Sequence, residues 1–140
     1  MNKKNYLIIG GIILIFFIVI ITILLSKNNN KTTWIAEIKN SQNYELTMTN
    51  CNGREKKLDK DSLTTINNNW NVLSNNGPWM GDSSICYTKV TITYENDGIV
   101  NSKEILLLDN SSIALIERNT TTYYTNATDI INYLNTLFAT

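Results

Sequence analysis

The sequence predicts an α+β protein, with a single N-terminal transmembrane helix followed by a small antiparallel sheet and two helices in the order β-β-α-β-β-β-α. Three observations lead there. Residues 7–25 form an unbroken apolar run, several later segments alternate apolar and polar side chains, and two others repeat apolar residues at three- and four-residue steps. Short, turn-rich connections between the alternating segments favour antiparallel pairing with the helices packed on one face.

The run reads LIIGGIILIFFIVIITILL, with Thr22 its one polar side chain. A helix of that length spans roughly 28 Å, close to the ~30 Å hydrocarbon core of a bilayer. It lacks the polar stripe of a helix buried in a soluble core. A cleaved signal peptide has an apolar stretch of about 7–15 residues and an A-x-A-like cleavage site. This run is longer and leads into Ser26-Lys27-Asn28, with no cysteine at its end for lipid attachment. An uncleaved signal-anchor is expected, with residues 1–6 as a short cytoplasmic tail, 26–32 as a polar stalk and 33–140 as one globular ectodomain. Lys3 and Lys4 precede the span and Lys27 and Lys31 follow it, so the positive-inside bias is weak. A six-residue tail most simply stays in the cytoplasm, which places the C-terminal domain outside. An even cysteine count and Asn-x-Ser/Thr triplets at Asn110, Asn119 and Asn126 lean the same way, although a chain rich in Asn, Ser and Thr forms such triplets by chance.

In TWIAEIK, Trp34, Ala36 and Ile38 share a strand face, and in YELTMT, Tyr44, Leu46 and Met48 do; Asn40-Ser41-Gln42-Asn43 between them reads as a hairpin turn. Trp34 also has an interfacial reading, as an aromatic residue just beyond the membrane. Leu63, Ile66, Trp70 and Leu73 then recur at helical spacing behind Asp61-Ser62, a candidate N-cap. After a loop SNNGPWMGDSS, the segment ICYTKVTITYE places Cys86, Thr88, Val90, Ile92 and Tyr94 on one face, and Asn96-Asp97-Gly98 signals a tight hairpin. Ile105–Leu108 and Ile113–Ile116 are apolar on both faces and should be the most buried strands. The chain closes on a helical face of Ile130, Tyr133, Leu134, Leu137 and Phe138 behind an Asn126 or Thr128 cap.

Composition excludes several chemistries. The chain has no histidine, which removes Ser-His-Asp and Cys-His machinery and the commonest metal ligand. Two cysteines without histidine do not make a structural zinc site. No phosphate-cradling glycine motif occurs, so no cofactor is expected. Residues 31–140 carry nine basic and twelve acidic side chains, a net charge of −3, which argues against nucleic acid as a partner. Arg54, Lys56, Lys57 and Lys60 are interleaved with Glu55, Asp59 and Asp61 and read as a solvated turn.

Two features remain. Cys51 and Cys86 read either as a disulfide, if the domain is extracytoplasmic, or as two buried thiols. Pro78-Trp79-Met80 sets large apolar side chains inside turn chemistry, which suits a partner-contact loop; the other reading folds Trp79 back as a plug on one end of the sheet. The expected function is a single-pass, non-enzymatic binding or structural module on a cell, organelle or virion surface. Its partners would be the bilayer, through residues 7–25, and a protein, through the sheet edge or the Trp79 loop. The alternatives are a subunit or assembly factor of a larger membrane complex recognised through its helix, or a small tethered enzyme using carboxylates.

Overall fold

The computed structural model describes residues 15, 18–21, 33–82 and 84–139. The tail and stalk, and most of the expected span, lie outside the described residues. Ile15, Ile18, Val19, Ile20 and Ile21 are helical with side chains 47–62% exposed. Among the described residues, no helix is long and apolar enough to cross a membrane. The chain divides into two compact units, 1–33 and 34–140, and the second is the α+β domain.

That domain opens with helix α1 (Thr33–Lys39), where alternation predicts a strand. The alternation of Trp34, Ala36 and Ile38 is incidental. The buried residues are Trp34, Ile35 and Ile38, at helical spacing, and Ile35, which a strand would turn outward, is only 1% exposed. Residues 40–42 therefore join a helix to a strand. The Asn40 amide donates to the Ala36 carbonyl at 3.0 Å and the Gln42 amide to Glu95 at 3.2 Å, which leads the chain into the sheet.

Strand β1 (Asn43–Thr49) follows as expected, with Leu46 and Met48 buried. Strand β2 (Glu55–Leu58) stands where a solvated turn is predicted, because Leu58 is its one apolar residue; it pairs Leu46 with Leu58 along β1. Helix α2 (Lys60–Trp70) is capped by Asp59, not by Asp61 or Ser62: the Asp59 carboxylate accepts from the Ser62 amide and hydroxyl, both at 2.9 Å. Ser62 is instead buried, and its hydroxyl accepts from Tyr133 at 3.1 Å.

Strand β3 (Ser74–Pro78) takes up half of the expected loop. Strand β4 (Thr88–Asn96) starts later than ICYTKVTITYE suggests, and the Asp97-Gly98 turn has φ of 52° and 75°, as a two-residue type I′ hairpin requires. Strands β5 (Ile99–Leu107) and β6 (Ser112–Glu117) contain the doubly apolar segments. Strand β7 (Thr120–Thr125) is a further element that the apolar pattern misses. Helix α3 (Thr128–Ala139) closes the domain. Neither expected cap serves it directly: the Ala127 carbonyl accepts its first backbone bond at 3.0 Å, and the Asn126 amide donates instead to Ser74 at 2.9 Å. The order is thus α-β-β-α-β-β-β-β-β-α.

The seven strands of the described residues form one antiparallel sheet in the order β2-β1-β4-β5-β6-β7-β3. The three helices bury its inner face over Leu46, Met48, Val90, Ile92, Ile105, Ile113 and Leu115. Leu106 and Ala114 point the other way, yet they are 8% and 0% exposed. Strand β3 lies at one edge and β4 is the third strand from the other, and the residues just beyond the end of β3 reach the outer face. Trp79 and Met80 line a cleft there with Leu108, Ser112 and Tyr123.

Candidate functional site

Cys51 and Cys86 form a disulfide with their Cα atoms 5.7 Å apart. Cys51 sits in the β1–β2 turn, where the Asn50 side chain accepts from the Asn52 and Arg54 amides at 3.0 Å each. Cys86 precedes β4. Because β1 pairs with β4 up to Thr49↔Lys89, the bond continues that ladder beyond its last pair. Both cysteines are exposed. Closing a loop across 35 residues stabilises by about 2–4 kcal/mol in the chain-entropy picture. The Cys51→Ser, Cys86→Ser double variant is expected to unfold at correspondingly lower urea concentration. A midpoint equal to that of the oxidised parent would show that the bond contributes nothing.

Pro78, Trp79 and Met80 leave the end of β3. The Trp79 amide donates to Thr121 at 2.9 Å, and its ring stands edge-on to Tyr87 with centroids 5.7 Å apart. Gly81 packs beside it, and a Cβ there would overlap the indole, so a larger residue would force the Trp79 ring to shift. Trp79 is half-buried, whereas Met80 is 92% exposed. Trp79 is thus braced against the domain, and Met80 is exposed to solvent. Both sheet edges are poor templates for another strand. β2 offers Glu55, Lys56 and Lys57, and β3 carries Pro78 and a register break.

Asn110 and Asn119 are exposed in the turns before and after β6, and Asn126 is exposed ahead of α3 with φ of 62°. The Asn126 amide nitrogen is the atom that bonds Ser74, so a glycan there would compete with that contact.

Sequence reasoning misses a charge cluster on the inner face. Lys103 of β5, whose side chain is 8% exposed, places its Nζ 3.1 Å from Glu37 of α1 and 2.5 Å from Glu117 of β6. It also lies 5.7 Å from the centre of the Tyr94 ring. Burial works to lower the Lys103 pKa, but the hydrogen bonds it donates to Glu117 and Glu37, together with the Glu117 charge, outweigh it and the net shift is upward. For Glu37, burial works upward and the Lys103 hydrogen bond and charge pull it below its ordinary value. Burial raises Tyr94. A lysine held protonated is the reverse of the desolvated, low-pKa amine that nucleophilic catalysis uses. The cluster joins α1 to the sheet.

Asp109 accepts from the Ser112 hydroxyl and from the Ser111 amide, the latter at 2.7 Å, and the Ser112 bond foremost lowers its pKa. A carboxylate depressed in this way is a weak base for activating the serine it holds. Among the described residues, no group of three or more cysteine or carboxylate side chains is placed to hold a metal ion. Comparison with protein-family models, curated proteins and solved structures gives no match to this chain.

Proposed function

We propose that this chain is a single-pass membrane-anchored, non-enzymatic binding or structural module. Residues 7–25 span the bilayer, residues 1–6 stay in the cytoplasm and the domain from residue 33 is displayed on the other side. The apolar run at Leu7–Leu25 carries the reading, because it has the length and composition of a membrane span and no cleavage pattern. The exposed Cys51–Cys86 bond supports the orientation, since a solvent-accessible disulfide persists in an oxidising compartment. Pro78-Trp79-Met80 is the contact element for a partner protein, supported by the exposure of Met80 beside a braced Trp79.

The expected result is that the intact chain stays in the membrane pellet after alkaline carbonate washing. Exchanging residues 7–25 for a cleavable signal peptide should release the domain in soluble form. Recovery of the intact chain in the wash would refute the anchor. Protease added outside sealed cells should digest the C-terminal domain, and a C-terminus protected there but cut from the cytoplasmic side would reverse the orientation. Exchanging the span for an unrelated one leaves a tethered binder functional; loss of partner association would favour the helix-recognised subunit instead.

A further inference from the structure

The seven residue pairs from Asn43↔Glu95 to Thr49↔Lys89 hold β1 against β4 without help from a covalent bond. What depends on the Cys51–Cys86 bond is the segment that leads into β4. Among the described residues, 80–86 form no hydrogen bond to a strand or helix. Their bonds are internal: the Ile85 amide donates to the Asp82 carbonyl at 3.4 Å and the Ser84 amide to the Asp82 carboxylate at 2.8 Å. The described residues of this segment are all exposed, Met80 at 92% and Ile85 at 54%. Among the described residues, what ties the segment down is the packing of Gly81 and Tyr87 on the Trp79 ring, and the bond at Cys86. The other end of that bond is fixed independently of it. In the β1–β2 turn the Asn50 amide donates to Arg54 at 3.1 Å, the Gly53 amide donates to Asn50 at 3.0 Å, and the Asn50 side chain accepts from two further amides.

The bond therefore joins a rigid turn to a segment with few other holds, and both of its cysteines are exposed. A disulfide that solvent reaches is open to attack by a thiolate and belongs to the labile class, in contrast to the bonds sealed inside a core. In an oxidising compartment it persists until a dithiol brings reducing equivalents to it. We propose that Cys51–Cys86 is a thiol-exchange site that controls the loop between β3 and β4: reduction by a dithiol oxidoreductase frees residues 80–87 while the sheet stays folded. One thiolate of the oxidoreductase attacks one sulfur of the bond, and the other cysteine leaves as a thiolate. The second thiol of the oxidoreductase, deprotonated, then attacks the mixed disulfide and releases the first cysteine. The oxidoreductase departs as a disulfide, and this chain has gained two electrons and, on protonation, two protons. Tyr87 follows Cys86 directly, so release of Cys86 removes the ring that braces Trp79. That consequence rests on the reading of Pro78-Trp79-Met80 as the contact element, and it makes the contact surface available in the oxidised chain only.

The test uses the full chain in phospholipid bicelles without denaturant. Thioredoxin in catalytic amount, regenerated by its reductase and NADPH, is expected to release two thiols per chain, counted by maleimide mass shift. For the conformational readouts the chain is reduced with dithiothreitol and capped with iodoacetamide. Trp34 and Trp70 are buried, so iodide quenching of tryptophan emission reports on Trp79, and it should increase on reduction. Chymotryptic cleavage after Trp79, Met80 or Tyr87 should accelerate at least about tenfold, as the population of the open segment grows. Far-ultraviolet dichroism should keep the signal of the sheet. The Cys51→Ser, Cys86→Ser double variant should match the reduced chain before any reductant is added and should not respond to dithiothreitol, which separates release of the loop from the bulk of the caps. Met80→Asp should leave thiol release and iodide quenching unchanged while abolishing the protein contact, so a working switch beside an unaffected contact would refute the contact reading alone. The switch is overturned if thioredoxin releases no thiols from the folded chain, or if quenching and cleavage are the same before and after reduction. It is also overturned if the double variant behaves as the oxidised parent, or if the sheet signal is lost with the bond, which would make Cys51–Cys86 a staple of the whole fold.

Discussion

Replacing Lys103 by methionine is expected to lower the unfolding free energy by about 3–5 kcal/mol, measured as a reduced urea midpoint. The substitution keeps an apolar stem against Tyr94 and removes only the ammonium that Glu37 and Glu117 share. Those two carboxylates would then face each other across the vacated position. Each retains about a third of its side-chain surface in water, which puts the expected loss toward the lower end of the range. The charge explanation has a specific consequence: adding Glu37→Gln and Glu117→Gln to Lys103→Met should recover most of the lost stability. If the triple variant is no more stable than Lys103→Met alone, the packing of the lysine stem and not its charge holds α1 to the sheet.

The pH dependence follows from the same cluster. Glu37 has a folded pKa below its ordinary 4.5, so its contribution is present above that value and is lost as the pH falls through the lowered one. Lys103 has a folded pKa above its ordinary 10.5, so its contribution is present below that value and is lost as the pH rises through the raised one. Tyr94, raised by burial, resists ionisation in the folded protein and adds to the alkaline loss. Stability should therefore be flat between these limbs, and Glu37→Gln should reduce the acid one, leaving the part contributed by Asp82 and Asp109, whose pKa values are also lowered.

The parts of the fold legible in the sequence are those where one residue type decides the local structure. Asp97-Gly98 fixes a type I′ turn because both positions need positive φ. Leu63, Ile66 and Trp70 declare α2 by spacing alone, and of the doubly apolar runs Ile105, Leu106 and Ile113–Leu115 are buried while Leu107, Leu108 and Ile116 are half-buried. Elements that depend on a neighbour are illegible. In TWIAEIK, strand and helix periods agree on Trp34 and Ile38, and only the burial of Ile35 against the core separates them. Strands β2 and β3 are edge strands with few apolar residues, so they exist through pairing with β1 and β7 and carry little signal of their own. The Thr-rich β7 had a signal in its β-branched residues that an apolar count passes over. The cysteine pair could be proposed from an even count. The Lys103 cluster could not, because its three charges come from α1, β5 and β6 and meet only when the sheet is assembled.

The second large effect is expected at Trp70, which is 0% exposed at the end of α2 and holds together parts of the fold that are remote in sequence. Its ring meets Trp34 of α1 edge-on at 4.8 Å and Tyr124 of β7 at 5.2 Å. Trp70→Ala should cost about 3–5 kcal/mol, the range for truncating a buried aromatic whose surroundings close only partly around the cavity. Near-ultraviolet dichroism, dominated by this aromatic stack, should collapse at urea concentrations where the parent is folded. Trp70→Phe is the informative companion. Among the described residues, the Trp70 indole N–H is buried without a hydrogen-bond partner, as is that of Trp34, and such a donor is destabilising by about 1–3 kcal/mol. Phenylalanine removes that donor while keeping an edge-to-face ring, so the gain offsets part of the lost volume and Trp70→Phe should lie within about 1–2 kcal/mol of the parent. Equal losses in Trp70→Phe and Trp70→Ala would mean that the N–H carries no penalty and that the full indole volume is what the core requires.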